Sequence, residues 1–197
     1  MESGWWAPVV SDGRANRLGF VVDVVSYGHR SEPAQERIQH RLQALLRSVC
    51  ADVGDDFDEV DRDSGTGDGT VVFLPTAADP VERLPALLRS FATRLAEDNR
   101  ETNDRIRLRM AVGTGVVADG DRGFAGPLVV NLSRLVDSEP LRRAVAENPS
   151  ADLAVLVLDA VRREAAPGYL PLVADCVELV DVAMKEFVDQ AWLWVSA

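Results

Sequence analysis

The chain has 197 residues, of which 47% are hydrophobic and 27% are charged, and its formal net charge is -11. This balance is typical of a globular domain with a substantial core and argues against wholesale disorder. A surface this acidic repels a phosphate backbone, so the composition excludes general DNA or RNA binding as a first hypothesis. The acidic surface is compatible with a mononucleotide bound through a metal ion, because the ion reverses the local charge.

Cysteine usage and the N-terminus bear on the cellular compartment. Cys50 and Cys176 lie far apart, and no Cys/His cluster of the kind that holds zinc is present in the sequence. The two cysteines could form a disulfide or remain as two buried free thiols. We favour the free thiols, which fit a reducing compartment. The first residues show no signal-peptide pattern, and no apolar run is long enough to cross a bilayer. We therefore expect a cytoplasmic protein with no membrane partner.

The first half of the chain predicts a lead-in followed by strands and helices in alternation. Residues 1–17 contain Gly, Pro and Asp-Gly, and their Trp5 and Trp6 are expected to cover the chain's own domain or, alternatively, a partner. Residues 18–197 are predicted to form one domain. Its first elements are a buried strand over Leu18–Val25, a helix capped by Ser31 and beginning near Pro33, a hairpin of Phe57–Arg62 with Thr70–Leu74, a helix from Asp79 or Pro80 to about Asn99, and a strand over Ile106–Val117.

The second half continues the alternation after a flexible loop over Ala118–Pro127. The order of elements predicts an α/β sandwich in which helices pack on one sheet. Three arginines, Arg105, Arg107 and Arg109, alternate with apolar residues at the start of the strand before the loop and are expected to face solvent or a partner. The later elements are helices over Leu128–Asp137 and Glu139–Glu147, a strand over Leu153–Leu158, a short helix to Glu164, and closing strands over Cys176–Val182 and Gln190–Val195.

Two aspartates lie at the edges of predicted strands. Asp23 interrupts a run of mostly β-branched residues, and Asp68 lies in a Gly-rich turn that opens the strand of the predicted hairpin. A buried strand does not usually accept a charge without a partner. If the two strands are neighbours, the carboxylates converge, and such a pair binds a divalent cation of the kind that serves a nucleoside triphosphate. The alternative is a hydrogen-bonded aspartate at a strand end and an ordinary turn residue.

Five segments, in this order along the chain, resemble the catalytic domain of class III nucleotidyl cyclases, from about Leu18 to Val195. They are Phe20–Tyr27, Thr66–Phe73, Arg107–Val116, Val129–Asp137 and Met184–Phe187. The resemblance implies a ferredoxin-like palm, an α+β sandwich whose central sheet is mainly antiparallel and has helices packed on it.

The resemblance also implies a metal-dependent reaction. Asp23 and Asp68 match the family's pair that holds two ions, Mn²⁺ or Mg²⁺, around a triphosphate, with the carbonyl of Val24 as a further ligand. The ribose 3′-oxygen attacks the α-phosphorus, and the products are a 3′,5′-cyclic nucleotide and pyrophosphate.

Other residues match the family less closely. Asn131 and Arg134 match the pair that orients the ribose and stabilises charge on the α-phosphate, but two residues separate them where the family usually has three. Either Arg134 fills the role, or the position corresponds to Leu135 and the role is vacant. Lys185 matches a lysine that contacts the β- and γ-phosphates, and Arg122 lies in the loop where it could reach them too.

The base-selecting positions depart from the purine cyclases. The family's lysine and aspartate are replaced by Ser64 and Phe124, so recognition of adenine in the usual manner is not expected. Compact, stand-alone cyclases that make cyclic UMP or cyclic CMP in bacterial antiphage (Pycsar) systems have a similar architecture. By that analogy, the product would act on a cyclic-nucleotide-responsive effector.

The resemblance implies a homodimer whose sites combine the aspartates of one subunit with the Asn/Arg set of the other. The main alternative is a cyclase-like domain that has lost catalysis and works as a nucleotide sensor or interaction module. A dinucleotide cyclase of related architecture is a weaker alternative, because the chain lacks a Gly-Gly-Asp/Glu-Glu-Phe hairpin.

Overall fold

The computed structural model of the chain describes residues 14–63, 67–76, 79–120, 123–164 and 177–196. In this part of the chain, eight strands form one sheet with five α-helices around it. The strands are β1 (Arg14–Val24), β2 (Asp61–Asp63), β3 (Gly69–Phe73), β4 (Leu108–Gly120), β5 (Gly123–Ala125), β6 (Leu153–Leu158), β7 (Val177–Met184) and β8 (Phe187–Val195). The helices are α1 (Glu32–Asp52), α2 (Pro80–Glu101), α3 (Pro127–Val136), α4 (Glu139–Glu147) and α5 (Asp159–Glu164).

The strand order is β2-β3-β1-β4-β6-β8-β7, and β5 pairs with the end of β4. Within the described sheet, β4 and β6 run parallel and the other pairs are antiparallel. The predicted architecture, a mainly antiparallel sheet with helices packed on it, is confirmed. β1 lies between β3 and β4, so its residues have neighbours on both sides.

The two faces of the sheet are covered differently. On one face, Phe20 of β1 packs edge-on against Phe91 of α2, with 5.4 Å between the ring centroids. On the other face, α3 packs closely on β4: a Cβ atom at Gly113 would lie 3.1 Å from Leu128 and 3.3 Å from Leu132. Glycine therefore allows this approach. Side chains alternate along a strand, so Arg109, four residues before Gly113, lies on the α3 face.

The helix predictions hold closely. Pro33 lies in the first turn of α1, after Ser31 in extended conformation, although the Ser31 side chain makes no capping hydrogen bond. The apolar residues predicted for one side of α1 are buried: Ile38, Leu42, Leu45, Leu46 and Val49. α4 and β6 have the predicted bounds.

Three strand predictions are corrected. β1 begins at Arg14 rather than Leu18, because its polar first residues pair with the far end of β4. The expected loop over 118–127 contains β5, which folds back on β4. β2 is shorter than predicted and begins at Asp61, whereas Phe57 is buried in the preceding turn.

Cys50 is a free thiol that is fully buried, and burial raises its pKa to about 11. Cys176, Trp5 and Trp6 lie outside the described residues. No helix in the described ranges is both long and apolar enough to cross a membrane.

Candidate functional site

The structure brings Asp23 and Asp68 together at one end of the β1–β3 ladder. Asp23 is paired in register with Gly69, the residue after Asp68, and the Val24 amide donates a hydrogen bond to the Asp68 carbonyl at 2.8 Å. A Cβ atom on Gly69 would lie 2.5 Å from the Val22 carbonyl oxygen, so glycine permits the close approach of the two strands. The two aspartates are therefore backbone neighbours across β1 and the start of β3, as the prediction of their convergence requires.

Arg109 is the third charged residue of this cluster. It is the cross-strand partner of Asp23 on β4, and its Nε donates to Asp23 Oδ2 at 2.9 Å while Nη2 donates to the same oxygen. Asp23 Oδ1 accepts no hydrogen bond from any described residue. Both side chains are largely buried, with 20% of Asp23 and 17% of Arg109 exposed. One carboxylate oxygen of Asp23 is thus held by a guanidinium, and the other is open.

The pKa of Asp23 is raised above its ordinary value. Burial is the largest cause; the hydrogen bond and the charge of Arg109 oppose it, and the negative charges of Asp68 and Asp137 add to it. The guanidinium therefore does not fully compensate the cluster. A further cation at this point would offset the cost of burying the Asp23 charge and the repulsion between the carboxylates.

Asp137 and Arg142 extend the cluster outwards. Asp137, the residue after α3, lies with its Oδ1 atom 3.6 Å from Nη1 of Arg109. The same oxygen accepts a hydrogen bond from Nη2 of Arg142, on α4, at 2.9 Å. Four side chains thus form a chain of alternating charge that runs from α4 to the end of β1.

The sequence alone did not identify Arg109 and Asp137 as part of this cluster. The alternation of arginines with apolar residues correctly placed Arg109 on the strand face opposite to its apolar neighbours, but the expectation that it faces solvent or a partner is corrected, because the side chain is largely buried and paired with Asp23. Its pairing with Asp23 depends on the register of β1 and β4, which no local pattern reveals. Asp137 carried no signal of its own, because its contact depends on where α3 ends.

Arg134 and Lys185 are brought together at the β7–β8 turn. The Arg134 guanidinium forms an ion pair with Glu186 at 2.7 Å, and Glu186 and Lys185 make the turn between β7 and β8. Asn131 lies one turn before Arg134 on α3, and both are partly exposed. Leu135 is fully buried. Arg134 presents a cation at the surface of α3 and Leu135 does not, and both readings of the shortened spacing stay open.

Phe124 lies away from the aspartates. Its ring packs edge-on against Phe73 with 4.7 Å between centroids. Phe73 is paired in register with Gly19, four residues along β1 from Asp23, which is about 13 Å at the usual rise of a strand. Ser64 and Arg122 lie outside the described residues.

The donor set at the end of β1 fits a hard divalent cation. It consists of two carboxylates and the adjacent backbone of Val24, all oxygen ligands of the kind that Mg²⁺ and Mn²⁺ prefer. Among the described residues, no cluster of three or more Asp, Glu, His or Cys side chains could hold a metal by itself. This is the usual situation for ions that complete their coordination with water and with substrate phosphates.

Solved catalytic domains of adenylyl and guanylyl cyclases share this fold. The guanylyl cyclase Cya2 superposes with a TM-score of 0.63 at 14% identity, over 92% of this chain and 91% of its own. An adenylate/guanylate cyclase/hydrolase from Silicibacter pomeroyi gives 0.61 at 18% identity, over 92% and 97%. The guanylate cyclase domain of RhGC from Catenaria anguillulae, solved in complex with GTP, gives 0.60 at 12% identity, over 92% and 97%.

The sequence itself matches no protein-family model and no curated protein at a significant level. At sequence identities this low, the structural similarity establishes a shared fold and no more. The chain has the fold of class III adenylyl and guanylyl cyclase catalytic domains, and the resemblance stated from the sequence is confirmed to that extent.

Proposed function

We propose that the protein is a metal-dependent nucleotidyl cyclase that converts a nucleoside triphosphate to a 3′,5′-cyclic nucleotide and pyrophosphate. The observation that carries this proposal is the meeting of Asp23 and Asp68 on paired strands within this fold. In the reaction, a bond forms between the 3′-oxygen and the α-phosphorus, and the bond to the pyrophosphate oxygen breaks. The 3′-hydroxyl loses its proton to solvent.

Asp23 and Asp68, with the Val24 carbonyl, would hold Mn²⁺ or Mg²⁺. When bound, such ions lower the pKa of the 3′-hydroxyl and neutralise the charge of the departing pyrophosphate. Arg109 lies against Asp23 with its guanidinium largely shielded from water, and its five N–H donors exceed those that contact Asp23, so it can also donate to a phosphate oxygen. We assign it to the triphosphate.

Asn131 and Arg134 would orient the ribose and stabilise charge on the α-phosphate, and Lys185 and Arg122 would bind the outer phosphates. Lys185 lies in the β7–β8 turn, and the Arg134 side chain contacts Glu186 of that turn, whereas Asp23 contacts Arg109. The proposal therefore includes a head-to-tail homodimer in which each site takes its aspartates from one subunit and its Asn/Arg set from the other.

The identity of the base in the substrate is also part of the proposal. Phe124 packs against Phe73 and has no polar atom with which to recognise a purine. Together with Ser64 in place of a lysine, this favours a pyrimidine substrate. Synthesis of cyclic UMP or cyclic CMP as an antiphage signal, read by a cyclic-nucleotide-responsive effector, is the corresponding biological role.

A cyclase-like sensor without turnover is the second candidate function. The observation that favours it is that both Asp23 and Arg134 are engaged in ion pairs, with Arg109 and Glu186 respectively. Such a domain would bind a nucleotide without reacting.

The test is turnover with ATP, GTP, CTP and UTP in separate reactions with Mn²⁺, followed by mass spectrometry of the products. We expect one cyclic monophosphate. Asp68→Ala should lower its rate roughly a hundredfold or more, as when a group that stabilises transition-state charge is lost. Asp181→Ala is the matched control, because Asp181 is exposed on β7 and its carboxylate accepts a hydrogen bond from Gln190, far along the chain from Asp23 and Asp68. No product from any of the four, in a folded and dimeric protein, would leave the sensor as the better account.

A further inference from the structure

Arg109 is shared by two carboxylates. Its Nε and Nη2 atoms contact Asp23, and its remaining terminal nitrogen, Nη1, faces Asp137 at 3.6 Å. The guanidinium is planar and its single positive charge is spread over three nitrogens. A carboxylate at one edge therefore weakens the net attraction for a carboxylate at the other edge. Asp137 therefore competes with Asp23 for the same cation.

Arg142 sets the strength of that competition. It donates to Asp137 Oδ1 at 2.9 Å, which is the oxygen that faces Arg109. Arg142 is 59% exposed and Asp137 48% exposed, so neither side chain is needed to fill the core. The two residues have room to exchange partners without disturbing the packing of α3 or α4.

A divalent cation at Asp23 would lie close to the Arg109 guanidinium, since both use one carboxylate. Two cations on the same carboxylate repel each other, and a negative charge behind the guanidinium relieves that repulsion. Asp137 lies on that side of Arg109. It also belongs to the charges that surround Asp23 within interaction range.

We propose that Asp137 is a positioning residue that holds Arg109 by its outer edge and thereby determines how tightly a divalent cation binds at Asp23 and Asp68. Arg142 tunes this hold by competing with Arg109 for Asp137. The inference rests on the proposed function, because it assumes that the aspartate pair binds a metal ion.

The experiment measures Mn²⁺ binding alone, without nucleotide, from the loss of the free-ion signal in electron paramagnetic resonance. We expect Asp137→Asn to weaken binding by about two- to fivefold, the range that a partly exposed ion pair contributes. Asp137→Glu should restore most of the affinity. Arg142→Gln should act in the opposite direction and tighten binding, because it frees Asp137 for Arg109.

A double-mutant cycle separates positioning from simple loss of negative charge. If Asp137 acts through Arg109, then Asp137→Asn should have little effect in an Arg109→Gln background. An effect of equal size in both backgrounds would overturn the inference. Glu139→Gln is the charge-matched control, since Glu139 lies two residues away and pairs with Arg143. It should leave Mn²⁺ affinity unchanged.

The two proposals fail in different ways. If the wild-type protein binds Mn²⁺, and Asp68→Ala abolishes the binding, then an unchanged affinity in Asp137→Asn overturns the positioning role alone. If Mn²⁺ binding is absent or survives Asp68→Ala, the metal site itself is wrong, and the proposed function and the positioning role are both overturned. Circular dichroism and the unfolding midpoint of each variant exclude loss of folding as the cause.

Discussion

Gly69 determines how closely Asp68 can approach Asp23. A Cβ atom at this position would meet the Val22 carbonyl oxygen at 2.5 Å and Cα of Asp23 at 3.5 Å, and both are backbone atoms that cannot rotate away. Gly69→Ala must therefore push β3 from β1 at the site. We expect a loss of about 1–3 kcal/mol in the free energy of unfolding, which is typical of overpacking, and weaker Mn²⁺ binding.

Urea unfolding and Mn²⁺ titration measure the two effects. Gly28→Ala is the control, because a Cβ atom there would meet nothing within 4 Å. If Gly69→Ala were as stable as the wild-type protein and bound Mn²⁺ equally well, the close approach of the strands would not be what forms the site.

The residues of the site differ in how far the sequence could predict them. Asp23 and Asp68 were predictable because a charge in an apolar strand and a carboxylate in a Gly-rich turn are unusual in themselves. For Arg109 only the strand face was predictable, opposite to its apolar neighbours, since its burial and its partner depend on strand register and on the helix above it. Asp137 was not predictable, because its contact with Arg109 depends on the position of α3 over β4.

Among the elements, α1 and α2 are joined by a cluster at the end of α1. Asp52 accepts hydrogen bonds from Ser90 at 2.6 Å and from Arg94 at 2.7 and 2.8 Å. The hydrogen bond from Arg94 is the main cause of a lowered pKa of Asp52, which falls from 3.8 to about 2. The two helices that cover one face of the sheet are thus tied together by a carboxylate that must be ionised.

This pKa shift predicts a pH dependence of stability. Because the pKa is lower in the folded chain, the stabilisation is complete well above 3.8 and is lost as the pH falls through about 2. We expect Arg94→Met to lower the free energy of unfolding at neutral pH, and its difference from the wild-type protein to narrow as the pH falls below about 4. Urea unfolding at pH 7, 5 and 3 measures this difference.

Arg89→Met provides the comparison on the same helix, since Arg89 is exposed and forms no ion pair with a described residue. Its effect should be small and should not change with pH. A difference for Arg94→Met that stayed constant from pH 7 to pH 3 would show that Asp52 is not the group through which Arg94 stabilises the protein.

The elements also show where sequence patterns suffice. α4 and β6 were predicted to the residue because each has strong local signals: proline in the first turn of α4, and an unbroken apolar run in β6. β5 was missed because Gly and Asp favour a loop, and a three-residue strand is defined by its pairing with β4 rather than by its composition. Pairing between distant segments is a tertiary effect that local propensity does not contain.

For the whole molecule, the arrangement of the candidate residues suggests two half-sites. Asp23 lies at the end of β1, on the sheet face that α3 partly covers. Phe124 packs on Phe73 of β3, which is paired with Gly19, four residues from Asp23 along β1. Arg134 is directed to the β7–β8 turn, where it pairs with Glu186. In the proposed head-to-tail homodimer, Arg134 of one subunit and Asp23 of the other contribute to the same site.

This arrangement predicts complementation between two inactive variants. Asp23→Ala removes a metal ligand, and Arg134→Ala removes the cation proposed for the α-phosphate, so each homodimer should be inactive. An equal mixture whose subunits exchange freely should recover about a quarter of the wild-type rate, because half of the dimers are mixed and each mixed dimer has one intact site of two.

The measurement is product formation before and after subunit exchange, with size-exclusion chromatography to follow the dimers. A mixture of Asp23→Ala with Asp68→Ala is the matched control: both changes damage the same half-site, so no mixed dimer contains an intact site and the rate should stay at the level of the single variants. Demonstrated exchange without recovery in the Asp23→Ala and Arg134→Ala mixture would place all the residues of the site within one chain. Recovery is the result that the proposed homodimer with shared sites requires.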